Sequence, residues 1–187
     1  GGVYSKWHPS VAEFKRTGDL LGPLTRFARV APAGLHRHSG LNLGAQYQGN
    51  LFSAQFNPHR IQRHVLKRSG ATFTSTDSDF LVSSDPDFRP TDVLEAPDGS
   101  LIVIDTGGWY IDQCPLSRIS RPEHKGGVYR VRKQGLRPIK DPLGAELEYE
   151  NLSPMKVAAL LNDGRPKVRQ RATELLVLLG KEIVPEL

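Results

Sequence analysis

One stretch of this chain is repeated further along, and the repeat limits the folds available to it. The segment GNLFSAQFNPHRIQRHVL (49–66) reads as a Gly/Asn turn, an apolar strand, a polar break and a second strand in which Ile61, Arg63 and Val65 alternate. The same grammar returns in DGSLIVIDTGG and, after an interval, GGVYRVRK, between residues 98 and 133. Leu51-Phe52-Ser53-Ala54 matches Leu101-Ile102-Val103-Ile104 at an offset of 50, and Ile61-Gln62-Arg63 matches Val128-Tyr129-Arg130 at an offset of 67. The 17-residue difference is an insertion, WYIDQCPLSRISRPEHK or thereabouts. Paired antiparallel strands recurring every ~40–50 residues, each pair introduced by a glycine turn, describe the blades of a β-propeller. Residues 24–35 and 41–48 fit strands of a preceding blade.

The expected fold class is therefore mainly β with C-terminal α: a partial β-propeller of two to three blades over residues 1–135. Propellers close with about four to eight blades, so the 187 residues, which begin without an initiator methionine, are expected to be a window on a longer chain. Turn-rich residues 136–152, with Asp141, Glu146, Glu148 and Glu150, read as a linker. From 153 to 187 the pattern turns helical. Ser153-Pro154 is a start signal, Asp163-Gly164 a turn and Pro166 a second start. Val168, Ala172, Leu175, Leu176 and Leu179 form one apolar stripe, ended by Gly180. Leu160-Leu161, Asp163, Val168-Arg169, Ala172 and Leu176 follow the pattern of a HEAT-type α-solenoid, with Asp163 and Arg169 as its structural charges.

Composition excludes several classes. Gly and Pro make up 32 of 187 residues, above the average of roughly 12%, as many turns require. No run approaches the ~18 apolar residues of a membrane span. The net charge of +5 is dispersed, which describes a solvated surface rather than a nucleic-acid site. A single Cys114 permits no internal disulfide, zinc knuckle or CxxCH, so these residues carry no covalent haem.

Loops at one end of a propeller hold its site, which directs attention to three places. Arg89, in Phe88-Arg89-Pro90-Thr91-Asp92, offers a planar fork for a carboxylate or phosphate. Asn57 and His59, at the break between two strands, can orient a ligand and exchange a proton, or simply form a hairpin turn. Gly107-Gly108-Trp109-Tyr110 opens the insertion, which also contains Cys114 and Lys125; the two aromatic rings either cover a ligand or anchor the loop. His36 and His38 share a strand face, an arrangement open to two metal ligands but read as polar histidines on the surface. Asp77, Asp79, Asp85 and Asp87 lack a calcium-loop pattern and read as solvated turns. No GxGxxG, Walker A, GxSxG or HExxH occurs, so neither a catalytic residue nor a metal site is assigned.

APAGL (31–35), YQGNLFSAQFNPHRIQRHVL (47–66), GATFTSTDSDFLVSSDPDFRPTDVLEAPDGSLIVIDTGGWY (70–110) and GGVYRVRK (126–133), followed by HEAT-like helices, resemble the membrane-bound dehydrogenase family of environmental bacteria. That family joins a propeller similar to the soluble quinoprotein glucose/sorbosone dehydrogenases to HEAT repeats and commonly to a cytochrome c domain. The resemblance implies an exported, periplasmic or cell-surface oxidoreductase that removes hydride from a sugar or other alcohol with pyrroloquinoline quinone and calcium, and passes electrons to the cytochrome. Arg89 matches a basic position that holds a quinone carboxylate in such propellers. Thr91 stands where the next basic residue is expected, and Asn57 near where a lysine is expected. The family's catalytic histidine and calcium-binding carbonyls belong to earlier blades, so these residues alone are expected to be inactive. The alternative is a non-catalytic propeller and HEAT module that binds a glycan or protein partner. Nucleic-acid binding through the positive charge is a third, lesser reading.

Overall fold

Alternating side chains and short turns resolve into two antiparallel meanders. The structure is a computed structural model and describes residues 18, 22–108, 123–135 and 138–180. Strands β1 (Pro32–Arg37), β2 (Leu51–Gln55), β3 (Arg60–Ser69) and β4 (Thr72–Val82) form one sheet in sequence order. Strands β5 (Pro90–Glu95), β6 (Leu101–Gly107) and β7 (Lys125–Val131) form the second. The repeat falls on equivalent strands: β2 and β3 are the second and third of their sheet, and β6 and β7 are the second and third of theirs.

Upstream the strands differ from expectation. Only the end of 24–35 is extended, and β1 joins the sheet of β2 instead of a separate blade. The Asn57 side chain explains this locally, since its Oδ1 accepts from the Ala31 N–H (2.6 Å) and its Nδ2 donates to the Arg29 carbonyl (2.7 Å), fixing the approach to β1. Residues 41–48 contain no strand. Leu41 and Gly44 close a turn, Gly44 has φ 116°, and Ala45–Tyr47 is a 3₁₀ turn. Half of the acidic cluster read as solvated turns is strand: Asp77 and Asp79 lie in β4, where Asp79 pairs with Arg60 at 3.0 Å, while Asp85 and Asp87 lie in the loop that follows.

Each sheet turns one apolar face to the other. Phe52 and Ala54 of β2, Ile61 of β3, Val93 of β5 and Leu101 and Val103 of β6 are fully buried, joined by Leu43 and Phe88. Phe80 closes one side, its ring 4.8 Å from that of Phe52 in a T-shaped arrangement. The edge strands β1 and β5 meet so closely at Gly34 that a Cβ there would collide with Asp92.

A carboxylate locks that seam. Glu95, at the end of β5 with its side chain 5% exposed, accepts the Ser39 N–H (2.8 Å), the Ser39 hydroxyl (3.0 Å) and the Gly40 N–H (2.6 Å). His36 Nε2 and His38 Nδ1 each lie 3.4 Å from it, the His38 contact lacking hydrogen-bond alignment. Gly40 is required, because a Cβ there would strike the carboxylate. Burial opposes ionisation of Glu95, but the hydrogen bonds from His36 and Ser39 and the nearby His38 outweigh it and pull its pKa down to about 2. His38 is not a surface residue: it is fully buried, and burial, only partly countered by Glu95, depresses its pKa.

The C-terminal part docks on the same end. Helices α1 (Pro154–Ala159) and α2 (Pro166–Leu179) follow the expected proline starts, and Val168 and Ala172 are fully buried. Arg169 bridges the two parts, donating to the Asp163 carbonyl (2.7 Å) and to the Ser39 carbonyl (3.0 Å). The segment 138–152 packs on α2: Arg171 stacks over Tyr149 at 4.6 Å, and Asp141 pairs with Arg165 at 3.2 Å.

Two outcomes follow. Because the Glu95 pKa lies near 2 when folded, against 4.5 for the free group, its contribution is complete above about pH 4.5 and fades as pH falls toward 2. Glu95→Gln should cost roughly 3 kcal/mol at pH 7, and less at pH 3, in urea denaturation. Phe52→Ala should cost about 3–5 kcal/mol by the same measurement.

Candidate functional site

The opposite end of the sheets is built by three connections: the β2–β3 turn, the β4–β5 loop and the two ends of the β6–β7 connection. The β4–β5 loop organises them. Asp87, Phe88 and Arg89 are consecutive, and each serves a different neighbour. Asp87, 6% exposed, places its Oδ2 3.2 Å from Nδ1 of His124. The Phe88 carbonyl lies 2.7 Å from Nδ1 of His59. Arg89 has its backbone held on both sides: its N–H donates to Asp105 Oδ1 (2.7 Å) and its carbonyl accepts from the Thr106 N–H (3.1 Å).

Rigid backbone and free head group coexist at Arg89. Its guanidinium sits 5.4 Å from the centre of the Phe56 ring, a cation–π contact, and no carboxylate among the described residues pairs with it. His59, at φ 55°, occupies the left-handed turn position that histidine tolerates better than most residues. A carbonyl only accepts, so His59 Nδ1 carries the hydrogen of that bond. His124, whose side chain is 48% exposed, keeps its Nδ1 within ion-pair distance of Asp87.

The residues singled out in the sequence divide clearly. Arg89 and His59 come together through Phe88. Asn57 lies in the same turn, but both ends of its amide are committed to the Arg29–Ala31 backbone. Thr91 is the extra residue of a β-bulge, between the pairs Pro90–Asp105 and Asp92–Ile104, and its hydroxyl lies 3.4 Å from the Ile104 carbonyl. Trp109, Tyr110 and Cys114 lie outside the described residues. Lys125 begins β7. Sequence reasoning missed Phe56, Asp87, Asp105 and His124. Asp87 and His124 are 37 positions apart, and no local pattern joins them.

A second polar cluster crosses the first sheet. Ser53 Oγ lies 2.8 Å from His64 Nε2, and His64 Nδ1 lies 2.8 Å from Asp77 Oδ1. The Ser75 and Thr25 hydroxyls also donate to Asp77. Burial opposes ionisation of Asp77, but the donors from Ser75, Thr25 and His64 prevail and hold its carboxyl below the ordinary range. Distances of this kind occur in serine hydrolases, but the setting differs. Ser53 is 7% exposed, in mid-strand between Leu35 and Gln62, with the Phe27 ring 6.0 Å from His64. Acyl transfer needs free donors for an oxyanion, and a strand paired on both sides supplies none from its ladder. The cluster ties β2, β3 and β4 together.

Among the described residues no group of three or more His, Cys, Asp or Glu side chains is placed to hold a metal. None of the described helices is long and apolar enough to cross a membrane.

Two β-meanders packed face to face, a polar loop end and a docked helical extension define a mainly β protein with a helical C-terminal part. Residues 4–135 match the domain of unknown function DUF7133, and the chain belongs to that family. No curated protein and no solved structure matches it.

If Ser53, His64 and Asp77 are a structural tie, Ser53→Ala and Asp77→Asn should each lower stability by about 1–3 kcal/mol. A fluorophosphonate probe should leave Ser53 unmodified in mass spectrometry of the native protein.

Proposed function

We propose that the two sheets are blades of a β-propeller followed by HEAT-like helical repeats, within an exported, periplasmic or cell-surface oxidoreductase of quinoprotein type. The substrate is a sugar or other alcohol, and the electrons pass to a cytochrome c domain. The observation that carries this reading is Arg89: a guanidinium without a carboxylate partner among the described residues, on a backbone pinned by Asp105 and Thr106, beside His59. Support for the blades comes from the repeat falling on equivalent strands. Support for further helical repeats comes from Val177 and Leu178, 73% and 82% exposed on α2, an apolar surface that stacking would cover.

Pyrroloquinoline quinone is a tricarboxylate, and the fit of the described residues to it is partial. Arg89 suits one carboxylate. Thr91 offers a hydroxyl, and the Asn57 amide is already engaged. When bound, an ortho-quinone supplies hydride acceptance from an alcohol carbon. This chain would hold a carboxylate at Arg89 and accept a hydroxyl hydrogen bond at His59 Nε2, with Trp109 and Tyr110 assigned to cover the ligand. A calcium ion would take its ligands from elsewhere, since the described residues gather no metal group.

The engaged Asn57 amide favours a second reading, in which the propeller and helices form a non-catalytic module for a glycan or protein partner. Adding pyrroloquinoline quinone and calcium to the full-length protein, with aldoses and a redox dye, separates the two. Dye reduction, lowered at least tenfold in Arg89→Gln, supports the oxidoreductase. Absence of both cofactor retention and turnover would overturn it in favour of the binding module.

A further inference from the structure

We infer that the other end of the second sheet, where the chain leaves β7, binds the phosphate group of a small monoester, held by Arg132 and Lys133. The inference is independent of any ligand at Arg89 and of the oxidoreductase reading.

Strand pairing brings the site together. Leu101 opens β6 directly opposite Val131, the last residue of β7. Residues 132–135 therefore leave the sheet beside the β5–β6 turn, and the two segments, with Asn42 and Pro138, line a cavity of about 230 Å³. A pocket that encloses a whole cofactor commonly measures ~300–1,000 Å³, so this one suits a head group. The turn is fixed before any ligand arrives. Asp98 Oδ1 accepts the Ser100 hydroxyl (2.6 Å) and the Ser100 N–H (3.0 Å), and Asn42 Nδ2 donates to the Asp98 carbonyl. Gly99, at φ 76°, sits so close to the loop after β1 that a Cβ there would lie 3.0 Å from that of Asn42.

Charge selects the ligand. Asp98 is the one carboxylate lining the cavity, and Arg130 pairs with it at 3.2 Å. Glu95, at the other side of the turn, is engaged by Ser39 and Gly40. Beyond Pro138, Glu146 pairs with Lys140 at 3.3 Å and Asp141 with Arg165 at 3.2 Å. With these carboxylates matched, Arg132 and Lys133 are left over, and neither makes an ion pair or hydrogen bond among the described residues. Positive charge is densest along this stretch: residues 125–140 contain six Lys and Arg and no Asp or Glu, against a net charge of +5 for the whole chain. Lys125 does not join the site, because it begins β7 and a strand advances about 3.3 Å per residue, which puts it roughly 20 Å from Arg132.

Hydrogen-bond polarity agrees with charge. Asp98 Oδ1 and the Asn42 amide nitrogen are already engaged, so the free groups are the Arg132 guanidinium, the Lys133 ammonium and the Gln134 amide. The two cations only donate. A phosphate monoester dianion only accepts, and its two charges equal the two unmatched cations. A guanidinium fork takes two of its oxygens side by side, and the ammonium takes a third as a point charge. A sulfate ester or a carboxylate carries one charge and leaves one cation unmatched.

Calorimetric titration of the full-length protein at pH 7.5 with phenyl phosphate, phenyl sulfate and benzoate tests this. Phenyl phosphate should bind at least fivefold more tightly than either monoanion. Arg132→Gln and Lys133→Gln, both at exposed side chains, should each weaken phenyl phosphate at least fivefold with the thermal unfolding midpoint unchanged. Arg132→Lys, which keeps the charge and loses the fork, should restore part of the loss. Lys125→Gln removes the same charge from the same basic stretch and should leave phosphate binding as it was. No binding, equal affinity for the three anions, or a loss in Lys125→Gln as large as that in Lys133→Gln overturns the inference. Tighter binding of a single-stranded oligonucleotide than of phenyl phosphate, falling steeply with salt, also overturns it, in favour of a polyanion surface.

Discussion

Glu95 is the carboxylate on which the arrangement of the parts depends. It belongs to β5 of the second sheet, its donors belong to the loop after β1 of the first, and the same loop offers the Ser39 carbonyl to Arg169 of α2. Two sheets and a helix thus meet within one residue of Ser39. A buried carboxylate is costly unless hydrogen-bonded, and Glu95 has three donors from Ser39 and Gly40 alone. The apolar core beneath supplies more free energy but less direction. Phe52, Ile61, Val93 and Val103 would tolerate small sliding of one sheet on the other, whereas Glu95 and the Gly34–Asp92 contact fix the offset. At this end the Glu95 carboxylate is occupied by donors of the protein itself.

The far end of the same strands is arranged differently. There the backbone is held as firmly, by Asp105, Thr106 and the Phe88 carbonyl, but the head groups are left with valence to spare. Arg89 has a ring beneath it and no counter-ion among the described residues. Fixing one end of a pair of sheets and leaving the other polar and under-paired is a way for a scaffold to present side chains without disturbing its own packing.

The strand repeat was legible because Leu51 to Ala54 and Leu101 to Ile104 are strand formers behind a glycine turn, and both became second strands, although β2 buries Phe52, Ser53 and Ala54 in succession whereas β6 alternates, burying Leu101 and Val103. Arg89 and His59 were found for a related reason, since the ends of repeated strands are visible once the strands are. What the sequence hid depends on pairing over distance. Strand β4 was obscured because TFTSTDSDFLV shows polar residues on both faces, and Asp77 is polar for the sake of His64, not of solvent. Buried Asp87 looks in sequence like exposed Asp85 beside it. Their fates part because Asp85 accepts the Asp87 N–H in a local turn, while Asp87 reaches a histidine beyond the insertion.

The histidines make the same point chemically. His64 has both ring nitrogens engaged, one by Ser53 and one by Asp77, so nothing remains for a ligand. His38 is fully buried beside Glu95 and inaccessible to one. His36 directs its Nε2 to the same carboxylate. His59 meets the Phe88 carbonyl through Nδ1, and His124 lies within ion-pair distance of Asp87 and Glu123. The five histidines among the described residues thus divide into two that complete the strand network or stay sealed, one that braces the seam, and two at the loop end. The division is decided by which oxygen meets which nitrogen, a property of the fold that no single position in the chain contains.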